Sequence, residues 1–458
     1  MSMSSRSASR RSTLLLALVG GCLLFSSQVP RPASAAPGAF DPRFGAVEAF
    51  RAEARASDAG VRWTRLAFWW SGLQPSGPDS WNGFYFPDDL LQAEVRNGRQ
   101  VVGLLLNTPS WAGDGNPTSV PRGLDLPVDD QNNLWAQFVR RIAERYRGRI
   151  DHWVIWNEPD IWDPASPTYT WDGSVDQFYR LQKVGYLALK QGNPQARVGL
   201  AGLTYWWDKY YDRPQYFERF LQVADQDPEA PAHNWFFDAA VLHLYNEPAG
   251  LYRAPLLYKQ LMAARGLSKP IWINETNVAP WNDPTNPMPR SDFRATLDEQ
   301  ASYVVQAFAY GLAAGAEHIS VYPLSDGDAP PGQELMGLIR RDGSTRPAYQ
   351  AFKTVTQYMS NVRGASVDQS SETVKVTLER DDGTVTVAWS AAPRPAEVSI
   401  PARGSSALLV DKYGAATPIS PLDGAYQLSL EPATANTVNG DPTVYLIGGS
   451  PRLLVEHR

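Results

Sequence analysis

The chain has 458 residues, 11% of them aromatic and 20% charged, with a formal net charge of −6. That length exceeds one ordinary core and fits a large domain with a smaller one. An acidic protein offers no electrostatic footprint for nucleic acid or an anionic membrane, whereas 16 Trp and 20 Tyr supply flat rings with a polar edge, the kind of surface on which sugar faces stack.

Residues 1–35 read as an export signal. Arg6, Arg10 and Arg11 precede the apolar run from Leu14 to Phe25, and Ala33-Ser34-Ala35 offers small residues for cleavage. The run is too short and wrongly flanked for a transmembrane span. Losing Arg6, Arg10, Arg11 and Arg31 moves the formal charge from −6 to −10. Cys22 is the only cysteine, so a chain cleaved after Ala35 carries no disulfide, thiolate metal site or cysteine nucleophile. The alternative is a lipoprotein box, Val19-Gly20-Gly21-Cys22, which would leave a lipidated Cys22; Leu23 and Leu24 directly after it fit that poorly. The expected location is secreted or cell-surface.

Across 38–360, short apolar runs alternate with longer amphipathic stretches. Strands are expected at 43–47, 61–67, 101–106, 151–156, 197–201, 238–244, 270–274 and 317–322, and helices over 87–97, 130–147, 174–191, 214–223, 252–265, 291–314 and 347–359. Such repeated strand-helix units predict an α/β fold, the closed (β/α)8 TIM barrel, with its site where strands run into helices. An open doubly wound sheet would need a glycine-rich phosphate loop after an early strand. The early strand ends here read Phe68-Trp69-Trp70 and Asn107-Thr108-Pro109. Over 362–458 the texture changes to short alternating strands, at 373–379, 384–390, 396–400, 406–412, 425–430 and 443–447, with a hairpin turn at Asp381-Asp382-Gly383. This predicts a C-terminal antiparallel β-sandwich as an accessory domain.

Two segments carry the chemistry: His152-Trp153-Val154-Ile155-Trp156-Asn157-Glu158-Pro159 and Pro270-Ile271-Trp272-Ile273-Asn274-Glu275. Each is an apolar run ending in Asn-Glu, and a glutamate at such an end must face a cleft or find a partner. Counted along the barrel, Glu158 ends the fourth strand and Glu275 the seventh, so both project into one mouth. Glycosidic cleavage with retention needs two carboxyl groups roughly 5 Å apart. Asn157 places an amide where it can hydrogen-bond a sugar hydroxyl beside the reacting carbon. Asn246-Glu247-Pro248 repeats the tripeptide after the sixth strand, but on the unit next to Glu275 and beyond the strand end, which reads as a loop or helix-capping carboxylate. No histidine or acidic spacing indicates a metal, and no motif calls for a cofactor.

Trp156-Asn157-Glu158-Pro159 followed by Trp272-Ile273-Asn274-Glu275 resembles the retaining glycoside hydrolases of clan A, family 39 first and family 5 next. The resemblance implies that Glu158 is the acid/base and Glu275 the nucleophile. It also implies an arginine beneath the nucleophile, Arg65 with Arg62 as fallback, in Gly60-Val61-Arg62-Trp63-Thr64-Arg65. His243 and Tyr245 match the residues that line the pocket from the sixth strand, and Trp111 in Pro109-Ser110-Trp111 matches a substrate-stacking tryptophan. Asp342-Gly343-Ser344-Thr345-Arg346-Pro347-Ala348 resembles the stretch leading into the last helix. One departure is Tyr322, which stands where many members end the eighth strand with a tryptophan. The resemblance implies an exported enzyme that cleaves β-glycosidic bonds in an oligo- or polysaccharide by double displacement. A carbohydrate is then the partner, with no nucleic acid, membrane span or cofactor, and the oligomeric state is left open. A transglycosylase with the same glutamates and a non-catalytic carbohydrate-binding barrel are the competing readings. Of the expected rim residues Trp69, Trp70, Trp162, Trp206, Trp207 and Trp281, about half should stack on sugar and the rest pack.

Overall fold

The computed structural model describes residues 41–85, 88–291, 293–327, 334–436 and 445–457. The export signal expected over 1–35, with Cys22, lies outside these residues, and the described chain falls within one compact unit.

Eight parallel strands form one sheet: β1 Phe44–Ala46, β2 Trp63–Trp69, β3 Gln100–Leu106, β4 His152–Ile155, β5 Arg197–Gly199, β6 Ala240–Tyr245, β7 Ile271–Asn277 and β8 His318–Val321. Their order is β5-β4-β3-β2-β1-β8-β7-β6, and the parallel bridges Gly199↔Ala239 and Leu203↔Leu242 join the two edges into a barrel. Each strand is followed by a helix: α1 Glu53–Asp58, α2 Asp88–Arg96, α3 Leu134–Tyr146, α4 Val175–Gly192, α5 Tyr216–Ala224, α6 Gly250–Ala263, α7 Leu297–Ala313 and α8 Pro347–Tyr358. Only α1 lacks a counterpart in the sequence pattern, being a short helix with a single buried residue, Ala56.

The strands read as apolar runs because interior side chains cover one face and helices the other; β7 is buried along its whole length. Capping boxes at Ser174 with Gln177 and Thr296 with Glu299 open α4 and α7, each worth about 1 kcal/mol. The Thr296 cap makes α7 begin at Leu297 rather than at Ser291, the start expected from the sequence.

The floor of the barrel, at the strands' N-terminal ends, is a stack of rings. His318 lies between Trp63 and Trp272 with centroids 4.9 and 5.0 Å away, and His152 packs 5.5 Å from Trp272. Glu317 accepts from Arg197 Nη2 at 2.9 Å and Trp272 Nε1 at 2.7 Å. At the other end Arg346, fully buried, donates to Asp283 Oδ2 at 2.6 Å and Asp326 Oδ1 at 3.0 Å, so the stretch before α8 fastens the loops after β7 and β8. Burial would raise the Asp283 carboxyl, but hydrogen bonds from Arg340, Thr285 and Arg346 hold it at about 2.

Beyond α8, strands Val362–Gln369, Thr373–Arg380, Gly383–Ser390, Arg452–His457, Ala407–Asp411 and Ala416–Ile419 form a six-stranded antiparallel sheet in that order. The pair Ala396–Pro401 and Ala425–Leu430 contributes Val398, Ile400, Tyr426, Leu428 and Leu430 to a core shared with Ala388 and Leu454. The hairpin at 381–382 closes on the pair Arg380↔Gly383. Among the described residues beyond α8, four strands were not expected: 362–369, 416–419, 435–436 and 452–457. This layer docks on α7 through Tyr413 to Asp298 (2.6 Å), Lys412 to Ser302 (2.9 Å), Gln306 to Gly449 (2.9 Å) and the Trp389–Tyr310 ring contact. Among the described residues no helix is long and apolar enough to cross a membrane.

Candidate active site

Period-two alternation sends Trp63, Arg65, Ala67 and Trp69 of β2 to one face of the strand, and the last three line a cleft of about 780 Å³ at the mouth of the barrel. On β7 simple alternation would fail. Trp272 is in the ring stack of the floor, which would turn Asn274 inward and Glu275 outward. A one-residue bulge intervenes: Ile273 and Glu275 pair with the consecutive residues Leu242 and His243, and Ile273 and Thr276 pair with Ile319 and Val321. The extra residue, Asn274, resets the alternation and turns Glu275 into the mouth, a common use of a bulge beside a reactive centre.

Glu158 arrives by a different route. β4 ends at Ile155, and Trp156 (φ 71°) and Glu158 (φ 48°) both take left-handed backbone conformations, each costing about 1–3 kcal/mol for a non-glycine residue. The Trp156 ring leaves the barrel to pack against Trp135 and Trp171, while the Glu158 N–H donates to Gly202 O at 2.9 Å. Gly202 is required there, since a Cβ would lie 2.1 Å from His243 Nε2.

The two carboxylates meet through His243. Oxygens of Glu158 and Glu275 and a ring nitrogen of His243 lie within 4.8 Å of one another. His243 Nδ1 is 2.7 Å from Glu158 Oε1, and Nε2 is 3.2 Å from Arg65 Nη1. A guanidinium can only donate, so Nε2 accepts and Nδ1 carries the ring proton that it donates to Glu158. Arg65 Nη2 and the Tyr245 hydroxyl both donate to Glu275, one to each carboxylate oxygen. Burial pushes the Glu275 carboxyl up, but the Arg65 charge and the hydrogen bonds from Tyr245 and Arg65 hold it below the usual carboxylate range. Burial and the Glu275 charge keep the Tyr245 phenol well above its ordinary value, so it stays a donor. The same causes push Tyr322 up to about 12. The Glu158, His243 and Glu275 spacing would also suit a metal ion, but Arg65 already places a fixed cation against two of those groups, and a dication there would meet like charge.

Arg65, rather than Arg62, therefore reaches the seventh-strand glutamate. Asn157, Tyr245 and Tyr322 line the cleft with the two glutamates, with Tyr322 set edge-on 6.3 Å from Tyr245. Trp111 does not line it. A turn closed by Ala112 N to Pro109 O folds its indole back to donate to Gln74 O at 2.6 Å and to pack edge-on against Trp70. Trp70 is likewise core, stacked on Phe138, whereas Trp69, Trp206 and Trp207 face the cleft. Glu247 is no helix cap, for α6 is preceded by Ala249 without a side-chain cap; it lines the cleft and binds Arg253.

Several lining residues had escaped the sequence reading: Glu48 just past β1, Thr204 after β5, Phe293 and Glu334 from the loops after β7 and β8, and Leu446 from the short strand Tyr445–Ile447 of the C-terminal layer. Glu48, an acid closing an apolar run in a left-handed conformation, had a signal of the same kind as Glu158. Leu446 had none, since only the docking of the sandwich on α7 brings it there.

No protein-family model matches the chain, and no curated protein sequence does. Its structure is similar to that of a family 39 glycoside hydrolase from Bacteroides cellulosilyticus WH2, with 15% identity, a TM-score of 0.65, and coverage of 91% of this chain and 81% of that one. It is similar also to a GH30 endoxylanase from Clostridium papyrosolvens C71 (14%, TM-score 0.58, 92% and 98% covered). A monomeric β-xylosidase from Caulobacter crescentus CB15 gives 15%, 0.56, 91% and 96%. These likenesses establish the fold expected from the sequence: a TIM barrel with a C-terminal β-sandwich.

Proposed function

We propose that the protein is a retaining β-glycoside hydrolase with Glu275 as nucleophile and Glu158 as acid/base. The observation that carries this reading is the unequal setting of two carboxylates less than 5 Å apart. Glu275 is gripped by a cation and a phenol, which keep it ionised, and Glu158 is bonded to Nδ1 of His243. Separations of about 5 Å leave no room for a water between carboxylate and sugar, so the carboxylate itself attacks.

Glu275 forms a bond to the anomeric carbon as the glycosidic C–O bond breaks, and the departing oxygen takes the Glu158 proton. Water then gives a proton to Glu158 while its oxygen bonds to the anomeric carbon, and Glu275 leaves with the electron pair of the ester bond. Arg65 and Tyr245 stabilise the carboxylate that is released. Asn157 lies beside Glu158 in the cleft, within reach of a hydroxyl on the reacting sugar. Glycans of xylose and glucose are the class to test first, because the similar structures include an endoxylanase, a β-xylosidase and a bifunctional glucanase-xylanase. Export is supported by the basic and apolar segments of residues 1–35; N-terminal sequencing of protein recovered outside the cell checks it.

Aryl β-xylosides and β-glucosides test the assignment. Glu275→Ala should be inactive and yield a glycosyl azide of inverted configuration when azide fills the space. Glu158→Ala should cleave only activated leaving groups and yield the retained azide. Full activity in both variants would remove the reading.

A further inference from the structure

The cleft is unequal on its two sides of the reacting bond, and this points to what the leaving group must be. Glu158 protonates the leaving oxygen, so, given the reading above, the departing part of the substrate lies on the flank formed by the loops after β4 and β5. That flank is an aromatic ridge. Trp207 and Tyr211 stack on each other at 6.0 Å and 20°, and Trp162, only four residues past Glu158, sets its ring edge-on to both at 5.9 and 5.0 Å. Tyr210 continues the ridge 5.1 Å from Tyr211. Trp162, Tyr210 and Tyr211 are exposed by 41, 75 and 49%, and Trp207, Tyr210 and Tyr211 line the same cleft as the two glutamates.

The ridge is held rigidly, as a binding platform requires. Its short helix, Trp206–Tyr210, is pinned at its centre by buried Asp208, which accepts from Tyr216 N at 2.6 Å and Arg219 Nη2 at 2.9 Å. Exposed aromatic surface on a fixed support, continuous with a cleft, marks a ligand site rather than core. Charge narrows the ligand. Glu48, Glu158, Glu247, Glu275 and Glu334 line the cleft; among the described residues Arg65 is the one arginine or lysine in the lining, and Arg51, Arg253 and Arg294, outside it, are each paired with one of these glutamates. A carboxylated or sulfated chain would have to compete with these glutamates for each of those arginines.

We infer that Trp207 and Tyr211, with Trp162 and Tyr210 beside them, form a stacking platform for the leaving-group portion of a neutral oligosaccharide, so that the natural leaving group is a sugar chain. The inference rests on the hydrolase reading for its direction, and its test can fail separately. The comparison is kcat/KM on an aryl β-glycoside against that on xylo- and cello-oligosaccharides of increasing length, for wild type, Trp207→Ala and Tyr211→Ala. In wild type kcat/KM should climb with chain length on the leaving-group side, and each variant should lower the oligosaccharide-to-aryl ratio by roughly tenfold. Tyr211→Ala removes a half-exposed ring and guards against a folding defect in Trp207→Ala. Ratios equal to wild type in both variants, with aryl glycosides still hydrolysed, would overturn the platform and leave the hydrolase standing. If wild type hydrolyses nothing, calorimetric titration of the same oligosaccharides decides: binding weakened in both variants supports the platform, and equal affinity overturns it. Tighter binding of oligogalacturonides than of xylo-oligosaccharides would overturn the neutral assignment.

Discussion

The two ends of the barrel are built from the same residue types, glutamate, arginine, histidine and tryptophan, yet they are arranged differently. On the floor His318 is clamped between two indoles, and Glu317 is satisfied by Arg197 and Trp272. Burial would raise the Glu317 carboxyl, but those hydrogen bonds hold it low, a settled ion pair. At the mouth an arginine and a phenol grip one glutamate, and a second glutamate stands across a shared histidine, with a cleft between them. On the proposed reading, a carboxylate becomes reactive through an unequally treated partner of its own kind and room for a substrate.

Paired substitutions test that contrast most strongly. Glu275→Ala should lower kcat by about 10⁴-fold or more, while Glu317→Ala should leave kcat within a few-fold of wild type. Glu317→Ala should instead lower unfolding stability by about 1–3 kcal/mol, because Trp272 Nε1 loses its acceptor. Aryl-glycoside kinetics with urea denaturation separates the two effects. A well-folded Glu317→Ala protein without activity would break the comparison.

The next effect lies in the arginine at the mouth. Arg65 holds the Glu275 carboxyl down, so Arg65→Met lets it rise and Glu275 takes up a proton at a higher pH. The acid limb of the kcat/KM profile should move to higher pH, and kcat/KM at neutral pH should fall about 10²-fold. An unmoved acid limb would mean that Arg65 merely fills space.

Much of this site was legible in the sequence, and what was not has physical causes. Strand ends carry the site, so an apolar run closing on Asn-Glu pointed to Glu158 and Glu275, and the resemblance to clan A pointed to Arg65, His243 and Tyr245, which line the same cleft. The bulge at Asn274 was invisible, because alternation from Trp272 would point Glu275 away from the mouth. Trp111 misled for the opposite reason: a tryptophan in a loop after a strand has no periodicity to aim it, and the turn after Pro109 buries its polar edge on Gln74. Glu247 was judged by its distance from the expected strand end at 244; β6 runs to Tyr245, which brings it to the rim.

A third carboxyl at the mouth offers a smaller effect on stability. Asp160 is buried, accepts from Thr204 N and Oγ1 at 2.8 and 2.7 Å, and its Oδ1 has no partner among the described residues. Burial above all, opposed by the Thr204 hydrogen bonds, raises it from 3.8 to about 7. The folded state then holds a proton that the unfolded chain releases near pH 4, so stability falls as pH rises towards 7 and stays lower beyond. The ceiling of that penalty is ~4 kcal/mol. Asp160→Asn keeps the Thr204 acceptor and should gain about 1–3 kcal/mol over wild type at pH 8, with the gain vanishing near pH 4; denaturation midpoints across that range measure it.

The floor should respond to acid in the other direction, through a group that takes no part in turnover. Burial chiefly, and then its neighbour His152, lower His318 from 6.5 to about 3. Above pH 6.5 the ring is neutral in both states and stability is unaffected. As pH falls below 6.5 the unfolded chain takes up a proton that the folded protein refuses, so stability drops by ~1.4 kcal/mol for each further pH unit until the folded value is approached. His318→Phe keeps a flat ring between Trp63 and Trp272 and removes the proton. Its stability should decline less steeply than that of wild type between pH 6.5 and 5, by about 2 kcal/mol over that interval, with kcat on an aryl glycoside unchanged. Parallel stability curves would show that the stacked ring takes up its proton as readily when folded as when unfolded, and a fall in kcat would show that the floor reaches the chemistry at the mouth.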